Sequence, residues 1–289
     1  MTAGTVSALF RYPVKSMAGE SLASLALGPR GVPGDRAWAV RDEERGGIRG
    51  GKRFPELMQC SARYAATPPQ EGSIPAEITL PDGTCFSISA EDAPARLSDL
   101  VGSPLTVWPL LPADQLDHYR RGAPVLEDAE AEFRRVFGRT ADEPLPDVSK
   151  FPEFLMEFES PPGTYFDAFP LLLMTTESLA TLTHAAPDHA FQVERFRPNL
   201  LIETGSDAPY PERDWIGSTI RIGSAELEIT MDCPRCVMTT HGFADLPKDP
   251  GIMRTLVREN GGDLGVYATV KTPGQVKIGD TLSLSSAGA

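Results

Sequence analysis

Short segments of alternating apolar and polar residues, separated by turns of glycine and proline, recur along this chain and restrict its fold more than any other feature. Residues 6–11, 22–27 and 36–40 show this pattern, and Gly31-Val32-Pro33-Gly34-Asp35 forms a turn between the second and third segments. Alternation with a period of two is typical of strands that bury one face. Many short strands joined by glycine turns indicate a β-barrel.

The rest of the first half is also predicted to be mainly β. Residues 76–80 and 85–88 flank the turn Pro81-Asp82-Gly83 and are expected to form a β-hairpin. Residues 92–100 follow as a short helix with Pro94 in its first turn. A second helix is predicted over residues 126–137, before Gly138.

The second half alternates strands with a few helices. Thr176 is a plausible N-cap for a helix over residues 177–184, and another helix is predicted over residues 251–258. Strands are predicted over residues 171–174, 200–203, 220–222, 225–229, 265–270 and 275–284. The predicted fold class is therefore mainly β with α (α+β), a barrel with peripheral helices.

Composition limits the classes of function. With 289 residues and 41% hydrophobic content, the chain can bury the cores of two domains. No apolar run approaches the roughly 18 residues of a membrane span, and the N-terminus lacks signal-peptide features, so a cytoplasmic protein without membrane contact is expected. A net charge of −13 argues against nucleic acid, although locally clustered cations can still hold a phosphorylated cofactor.

The tetrapeptide Cys233-Pro234-Arg235-Cys236 holds two of the four cysteines. Four cysteines are too few for a disulfide framework, so reduced thiols are expected. An adjacent guanidinium favours the thiolate, which attacks electrophiles or binds soft metals. Half of a zinc site, a thioredoxin-like redox pair and inert buried thiols all remain open, although residues 237–240 are predicted to be β or extended rather than helical.

Five stretches together resemble the molybdenum-cofactor-binding MOSC family, in its two-part form with an N-terminal β-barrel domain. They are Tyr12-Pro13-Val14-Lys15-Ser16, Gly34-Asp35-Arg36-Ala37-Trp38, Phe196-Arg197-Pro198-Asn199, Cys233-Pro234-Arg235-Cys236 with Thr239-Thr240, and Gly265-Val266-Tyr267 followed by residues 273–280. The resemblance implies an N-terminal β-barrel-like domain over residues 1–120, a connecting segment over 121–165 and a MOSC domain over 166–286.

In that family the second cysteine of the tetrapeptide ligates molybdenum, which implies Cys236 as the metal ligand and catalytic residue. The implied cofactor is molybdenum-molybdopterin, whose dithiolene supplies further sulfur ligands, and no pyridoxal phosphate is expected. The implied phosphate and pterin contacts are Lys15, Ser16, Arg36, Arg197, Asn199, Arg235 and Tyr267. Arginine forks, a lysine charge and neutral Ser and Asn donors suit such an anion.

The family's reductase branch implies a two-electron reduction of N-hydroxylated compounds such as amidoximes and hydroxylamines. No flavin, haem or iron–sulfur motif is present in the sequence, so a separate electron donor of the ferredoxin, flavodoxin or flavin reductase type is expected. His241 and Asp167 are candidate proton carriers. Alternative functions are a persulfide carrier or sulfurtransferase, and a non-catalytic cofactor carrier.

One stretch departs from the reductase pattern. That branch has Asp-Thr-Ser-Pro where this chain has Asp167-Ala168-Phe169-Pro170, so two side-chain hydroxyls are missing. The resemblance therefore implies a more apolar substrate pocket at this position.

Overall fold

The computed structural model of the protein describes residues 2–284. The strands are β1 Thr2–Arg11, β2 Glu20–Ser21, β3 Ser24–Leu27, β4 Trp38–Asp42, β5 Ile48–Arg49, β6 Ser61–Arg63, β7 Glu77–Thr79, β8 Cys85–Ser87, β9 Leu105–Pro109, β10 Leu171–Thr175, β11 Leu200–Glu203, β12 Thr219–Ile222, β13 Ala225–Pro234, β14 Asp263–Thr272, β15 Gly274–Lys277 and β16 Thr281–Leu284. The α-helices are α1 Ala93–Val101, α2 Leu116–Tyr119, α3 Ala129–Phe137, α4 Thr176–Ala185 and α5 Gly251–Asn260.

Seven strands form a closed barrel. Their order around it is β1, β11, β10, β14, β13, β12 and β16, and β1 closes the circle by pairing with both β11 and β16. In the described range, β10 and β11 run parallel and the other neighbouring pairs are antiparallel. Because the barrel is closed, none of the seven strands has an unpaired edge. The sheet therefore offers no edge with which another chain could pair.

The barrel interior is filled by the apolar members of the alternating segments. Val6 and Leu9 of β1, together with Leu227 and Ile229 of β13, belong to one buried core, which also includes residues of β3 and β15. Strands β3 and β15 pair with each other outside the barrel sheet, so the two halves of the chain share this core. The fold class predicted from sequence, mainly β with peripheral helices, is confirmed.

Two small sheets make up most of the remaining N-terminal half. One has the order β5, β4, β9 and the other β6, β7, β8, and residues of both pack into a second buried core with α1. Since β1 belongs to the barrel, the first residues of the chain are part of the C-terminal sheet. The domain bounds 1–120, 121–165 and 166–286 stay a prediction, and Met1 and residues 285–286 within them lie outside the described range.

Some local predictions were wrong. Thr175, not Thr176, caps α4 by accepting a hydrogen bond from the Ser178 amide. Helix α3 begins at Ala129 rather than at residue 126, because Asp128 caps it. Residues 275–284 are not one strand, since a turn separates β15 from β16, and each pairs with a different partner.

Between residues 2 and 284, no helix is both long and apolar enough to cross a lipid bilayer.

Candidate active site

One open cavity is lined by every residue that the sequence predicted to bind a cofactor. The predicted site residues in its wall are Lys15, Ser16, Arg36, Arg197, Asn199, Arg235, Cys236 and Tyr267. They come from the loops after β1, before β4, before β11 and after β13, and from β14. The fold therefore brings these separated stretches together, while the role of each side chain stays a prediction.

The cysteine loop is shaped by the end of β13 and one turn of 3-10 helix. Strand β13 continues beyond the predicted residues 225–229, through Cys233 to Pro234, so Cys233 lies in the strand and only Cys236 follows it. The residues Val237–Thr240 form a 3-10 helix, not the predicted extended segment. The hydroxyl of Thr239 donates to the carbonyl of Cys236 at 3.1 Å, and that of Thr240 to Val237 at 2.7 Å. These local bonds favour the turn over a strand.

A buried arginine stabilises this loop through hydrogen bonds to its backbone. Arg195 is 1% exposed and donates to four backbone carbonyls, which belong to Ala190, Thr239, His241 and Pro247. Because its donors are used on the backbone, Arg195 positions the loop rather than offering a free cation to the cavity.

The two cysteines have different environments. Cys233 is buried and accepts a hydrogen bond from Arg235 Nη1 at 2.9 Å, whereas Cys236 is half-buried in the cavity wall. Burial raises the pKa of the Cys233 thiol, and Arg235 offsets this only in part. Cys233 therefore stays a neutral thiol near neutral pH, which leaves Cys236 as the accessible sulfur.

Two arginines and one carboxylate surround the ring of Tyr12. The guanidinium carbons of Arg36 and Arg197 lie 4.9 and 4.3 Å from the ring centroid. Asp35 pairs with Arg36 and accepts hydrogen bonds from the Tyr12 amide at 2.7 Å and from Asn199 Nδ2 at 3.1 Å. Burial and the neighbouring Arg36 lower the pKa of Arg197 to about 10, so both arginines stay charged at neutral pH. We call these five residues the arginine cluster.

Asn199 is used within the protein. Its Oδ1 accepts from the Leu172 amide at 3.2 Å, and its Nδ2 also donates to Phe10 at 3.4 Å. These bonds tie β11 to β10 and β1 below the arginine cluster. Its predicted contact with a cofactor stays a prediction, and its visible bonds are structural.

Asp167 of the cavity wall pairs with two lysines. Lys15 Nζ lies 2.7 Å from Asp167 Oδ1, and Lys52 Nζ lies 3.2 Å from Asp167 Oδ2. Although burial raises the pKa of Asp167, Lys15 and Lys52 together hold it well below its usual value. Asp167 is therefore ionised at neutral pH and is a poor proton donor.

His241, the other candidate proton carrier, does not line the cavity. It is buried, and burial lowers the pKa of its imidazole. The structure therefore does not bring both candidate proton carriers to one site.

Three residues of the cavity wall have a left-handed backbone conformation. Among the described non-glycine residues, positive φ occurs at Ser16 (72°), Arg36 (50°), Arg197 (57°) and Ala244 (46°), and the first three line the cavity. Such conformations cost about 1–3 kcal/mol each and persist where the surroundings impose them, often at functional sites. Ser16 Oγ also accepts from the Gly51 amide at 2.8 Å, and a Cβ on Gly50 would lie only 2.2 Å from that oxygen.

Several residues in the cavity wall, or in contact with its side chains, were not predicted. Asp35 and Tyr12 lie inside stretches quoted for the resemblance, so their position in those motifs was the available signal. Lys52 had no such signal, because it is brought to Asp167 only by the loop after β5. Phe169, from the departing stretch, lines the cavity against Tyr267.

Asp263, next to the cysteine loop, has a raised carboxyl pKa, which predicts that the stability of the fold depends on pH. Burial and the nearby Asp232 raise the pKa of Asp263, opposite Pro234 in the barrel, from its ordinary 3.8 to about 6. Between pH 3.8 and about 6, the folded state binds more protons at Asp263 than the unfolded state does. Ionisation of Asp263 therefore lowers the free energy of unfolding as the pH rises through this range. We expect Asp263→Asn to raise the urea midpoint at pH 7 and to have a smaller effect at pH 4.

The exposed Asp214 on the 3-10 helix Pro211–Trp215 offers the matched control. Asp214→Asn should not reproduce the pH-dependent gain in urea unfolding. An equal gain for Asp263→Asn at pH 4 and pH 7 would contradict the prediction.

The arrangement excludes two readings of the cysteine pair. Within residues 2–284, no three His, Cys, Asp or Glu side chains cluster as metal ligands, so a zinc site has no ligand set there. The first cysteine lies in a strand rather than at a helix N-terminus, unlike a thioredoxin-type pair. Fold and cavity define instead a β-barrel protein whose cavity wall combines the half-buried Cys236 thiol with several cationic side chains.

Comparison with known families identifies this class. The MOSC domain model matches residues 161–283, and the MOSC N-terminal beta barrel domain model matches residues 3–101. The chain belongs to the two-part MOSC family, and the predicted N-terminal β-barrel domain is confirmed.

Relatives of known name share this organisation. Mitochondrial amidoxime reducing component 2 of Bos taurus is 26% identical over 96% of this chain and 82% of that protein. Its Homo sapiens counterpart is 33% identical over 40% of this chain and 37% of the relative. A molybdenum cofactor sulfurase of Danio rerio is 27% identical over 81% of this chain, which spans only 28% of that protein.

Proposed function

We propose that this chain binds molybdenum-molybdopterin through Cys236 and reduces N-hydroxylated compounds with electrons from a separate protein. The observation that carries the proposal is the placement of the Cys236 thiol in the same cavity as Arg36, Arg197 and Arg235, on a chain of net charge −13. Cations gathered around a soft sulfur suit a ligand that combines phosphate with a sulfur-ligated metal.

Unpartnered donors support the fit of this cofactor. Arg197 Nη2 and Arg235 Nε are buried and have no hydrogen-bond partner within the described residues. A buried unsatisfied donor costs about 1–3 kcal/mol, and more when it is charged. An anionic group in the cavity would satisfy such donors, so the residues present fit the cofactor.

The chain's own side chains would have distinct tasks. Cys236 would supply a thiolate, Lys15, Arg36 and Arg197 would hold the phosphate, and Arg235 with Tyr267 would orient the pterin. The bound cofactor would supply two-electron oxygen transfer, which amino-acid side chains do not provide. Asp35 keeps Arg36 in place before the ligand arrives, and the Met17 carbonyl accepts from Arg197 Nη1 at 2.6 Å. These contacts reduce the cost of ordering the two arginines on binding.

The relatives' names support the substrate class in this proposal, because amidoxime reduction is named in two of them. An external electron donor of the ferredoxin, flavodoxin or flavin reductase type completes the proposal. The predicted cytoplasmic location stays a prediction.

Metal analysis and a dye assay test the proposal. The protein purified from a host that makes the cofactor should contain about one molybdenum per chain, with matching pterin fluorescence after release. Benzamidoxime should then oxidise reduced viologen dye in its presence, whereas benzamidine, which lacks the N-hydroxyl group, should not. Absence of molybdenum from the freshly purified protein would refute the proposal.

The same experiment separates the two alternatives. Molybdenum without dye oxidation would indicate a cofactor carrier. A persulfide on Cys236 without molybdenum would indicate sulfur transfer, the activity class in the name of the Danio rerio relative.

A further inference from the structure

Three aromatic rings form a row beside the cavity. The ring centroids of Tyr267 and Phe169 lie 5.1 Å apart with 35° between the planes, and Phe151 meets Tyr267 edge-on at 6.5 Å and 73°. Phe169 and Tyr267 line the cavity, and Phe151 supports Tyr267 from outside the lining. We call these three residues the aromatic wall.

The aromatic wall belongs to the sulfur end of the cavity. Tyr267 lies on β14 opposite Met231 of β13, and β13 leads directly into the cysteine loop, where Arg235 Nη1 donates to Cys233 Sγ at 2.9 Å. Arg36 and Arg197 instead lie over the ring of Tyr12, and Arg36 pairs with Asp35. The phosphate-binding charges and the aromatic wall are therefore separate parts of the site.

Phe169 contributes an aromatic ring to the cavity wall at this end. Its ring is half-buried, and the other apolar lining residues are Phe166, Leu172, Phe196 and Met238. Stacking on Tyr267 and its position between Ala168 and Pro170 restrict the motion of the Phe169 ring. A fixed ring in an apolar wall binds a flat ring better than a flexible chain, because little side-chain freedom is lost on binding.

We infer that Phe169 is a specificity-determining residue, which selects N-hydroxylated substrates whose amidoxime or other N-hydroxylated group is carried by a flat aromatic or heteroaromatic ring. This inference rests on the proposed reductase function and adds the substrate class to it. An aromatic pair contributes binding free energy beyond that of the area it buries. This contribution corresponds to about a two- to tenfold preference for a ring substrate over one without a ring.

Two substitutions at the same position isolate the ring. Phe169→Leu keeps an apolar side chain and removes the ring, and Phe169→Tyr keeps the ring. The ratio of kcat/KM for benzamidoxime to that for acetamidoxime should fall about two- to tenfold in Phe169→Leu, mainly through KM, and stay near the wild-type ratio in Phe169→Tyr. Molybdenum content, measured in all three proteins, separates substrate selection from cofactor binding.

A binding measurement gives a readout independent of turnover. Calorimetric titration with benzamidine and acetamidine, which lack the N-hydroxyl group, should show the same loss of ring preference in Phe169→Leu. Equal preference in all three proteins would overturn the inference while leaving the reductase function intact. Loss of molybdenum in Phe169→Leu alone would also overturn it, because the ring would then hold the pterin. Ring preference in binding without any wild-type turnover would refute the proposed reductase and, with it, the assignment of Phe169 to substrate selection.

Discussion

Replacing Cys236 by alanine is expected to reduce bound molybdenum from about one per chain to background and to abolish dye oxidation by benzamidoxime. The reason is that Cys236 provides the accessible thiol of the cavity, whereas Cys233 is buried and bonded to Arg235. Within residues 2–284, the Cys236 sulfur is in no hydrogen bond. The substitution should therefore leave the free energy of unfolding within about 1 kcal/mol of wild type.

Cys85→Ala is the matched control for Cys236→Ala. Cys85 is an exposed free thiol on β8, remote in sequence from the cavity-lining stretches. This variant should keep both molybdenum and dye oxidation. Full molybdenum in Cys236→Ala, with loss in Cys233→Ala instead, would show that the ligand is assigned to the wrong sulfur.

Replacing Asp35 by alanine is expected to destabilise the fold by about 3–5 kcal/mol, the usual effect of removing one partner of a buried ion pair. The Asp35 side chain is fully buried, pairs with Arg36 and accepts from Tyr12 and Asn199. Its loss would leave Arg36 and Arg197 close together around Tyr12 without the carboxylate, and would also leave the Tyr12 amide without its acceptor. Urea unfolding followed by circular dichroism measures this change.

Asp92→Ala provides the comparison for this prediction. Asp92 makes an exposed ion pair with Arg96 at 2.7 Å on the first turn of α1. Exposed pairs contribute little, so this variant should unfold close to wild type. If Asp35→Ala lost no more stability than Asp92→Ala, the Asp35 carboxylate would not stabilise the arginine cluster.

Much of the secondary structure was predictable because it depends on local patterns. The alternation in β1, β12 and β13 gives each strand one apolar face, and α5 follows the predicted helix from Gly251 onward. Residues 237–240 were mispredicted because Thr239 and Thr240 are favourable in strands, yet their hydroxyls here bond to carbonyls of their own turn.

Some residues of the candidate site could likewise be predicted from the sequence, and others could not. Residue type drew attention to the cysteine loop. The resemblance of five stretches to the MOSC family implied Cys236 as metal ligand and seven cofactor contacts, and these roles stay predictions. Lys52 and the edge of Phe151 against Tyr267 had no sequence signal, because each meets its partner only through distant loops.

The sequence alone indicated the β-barrel class, because alternation and turns are local properties. Its motifs resemble the two-part family, and that resemblance named the residues that the fold then brings together in the cavity. Tertiary structure alone decided that β1 closes the barrel between β11 and β16, that Asp35 holds the arginine cluster, and that Cys233 is buried while Cys236 is accessible. The physical reason is that strand partners, burial and charge pairing depend on contacts between residues far apart in the chain. An alternating pattern specifies which face of a strand is buried but not which strand lies beside it.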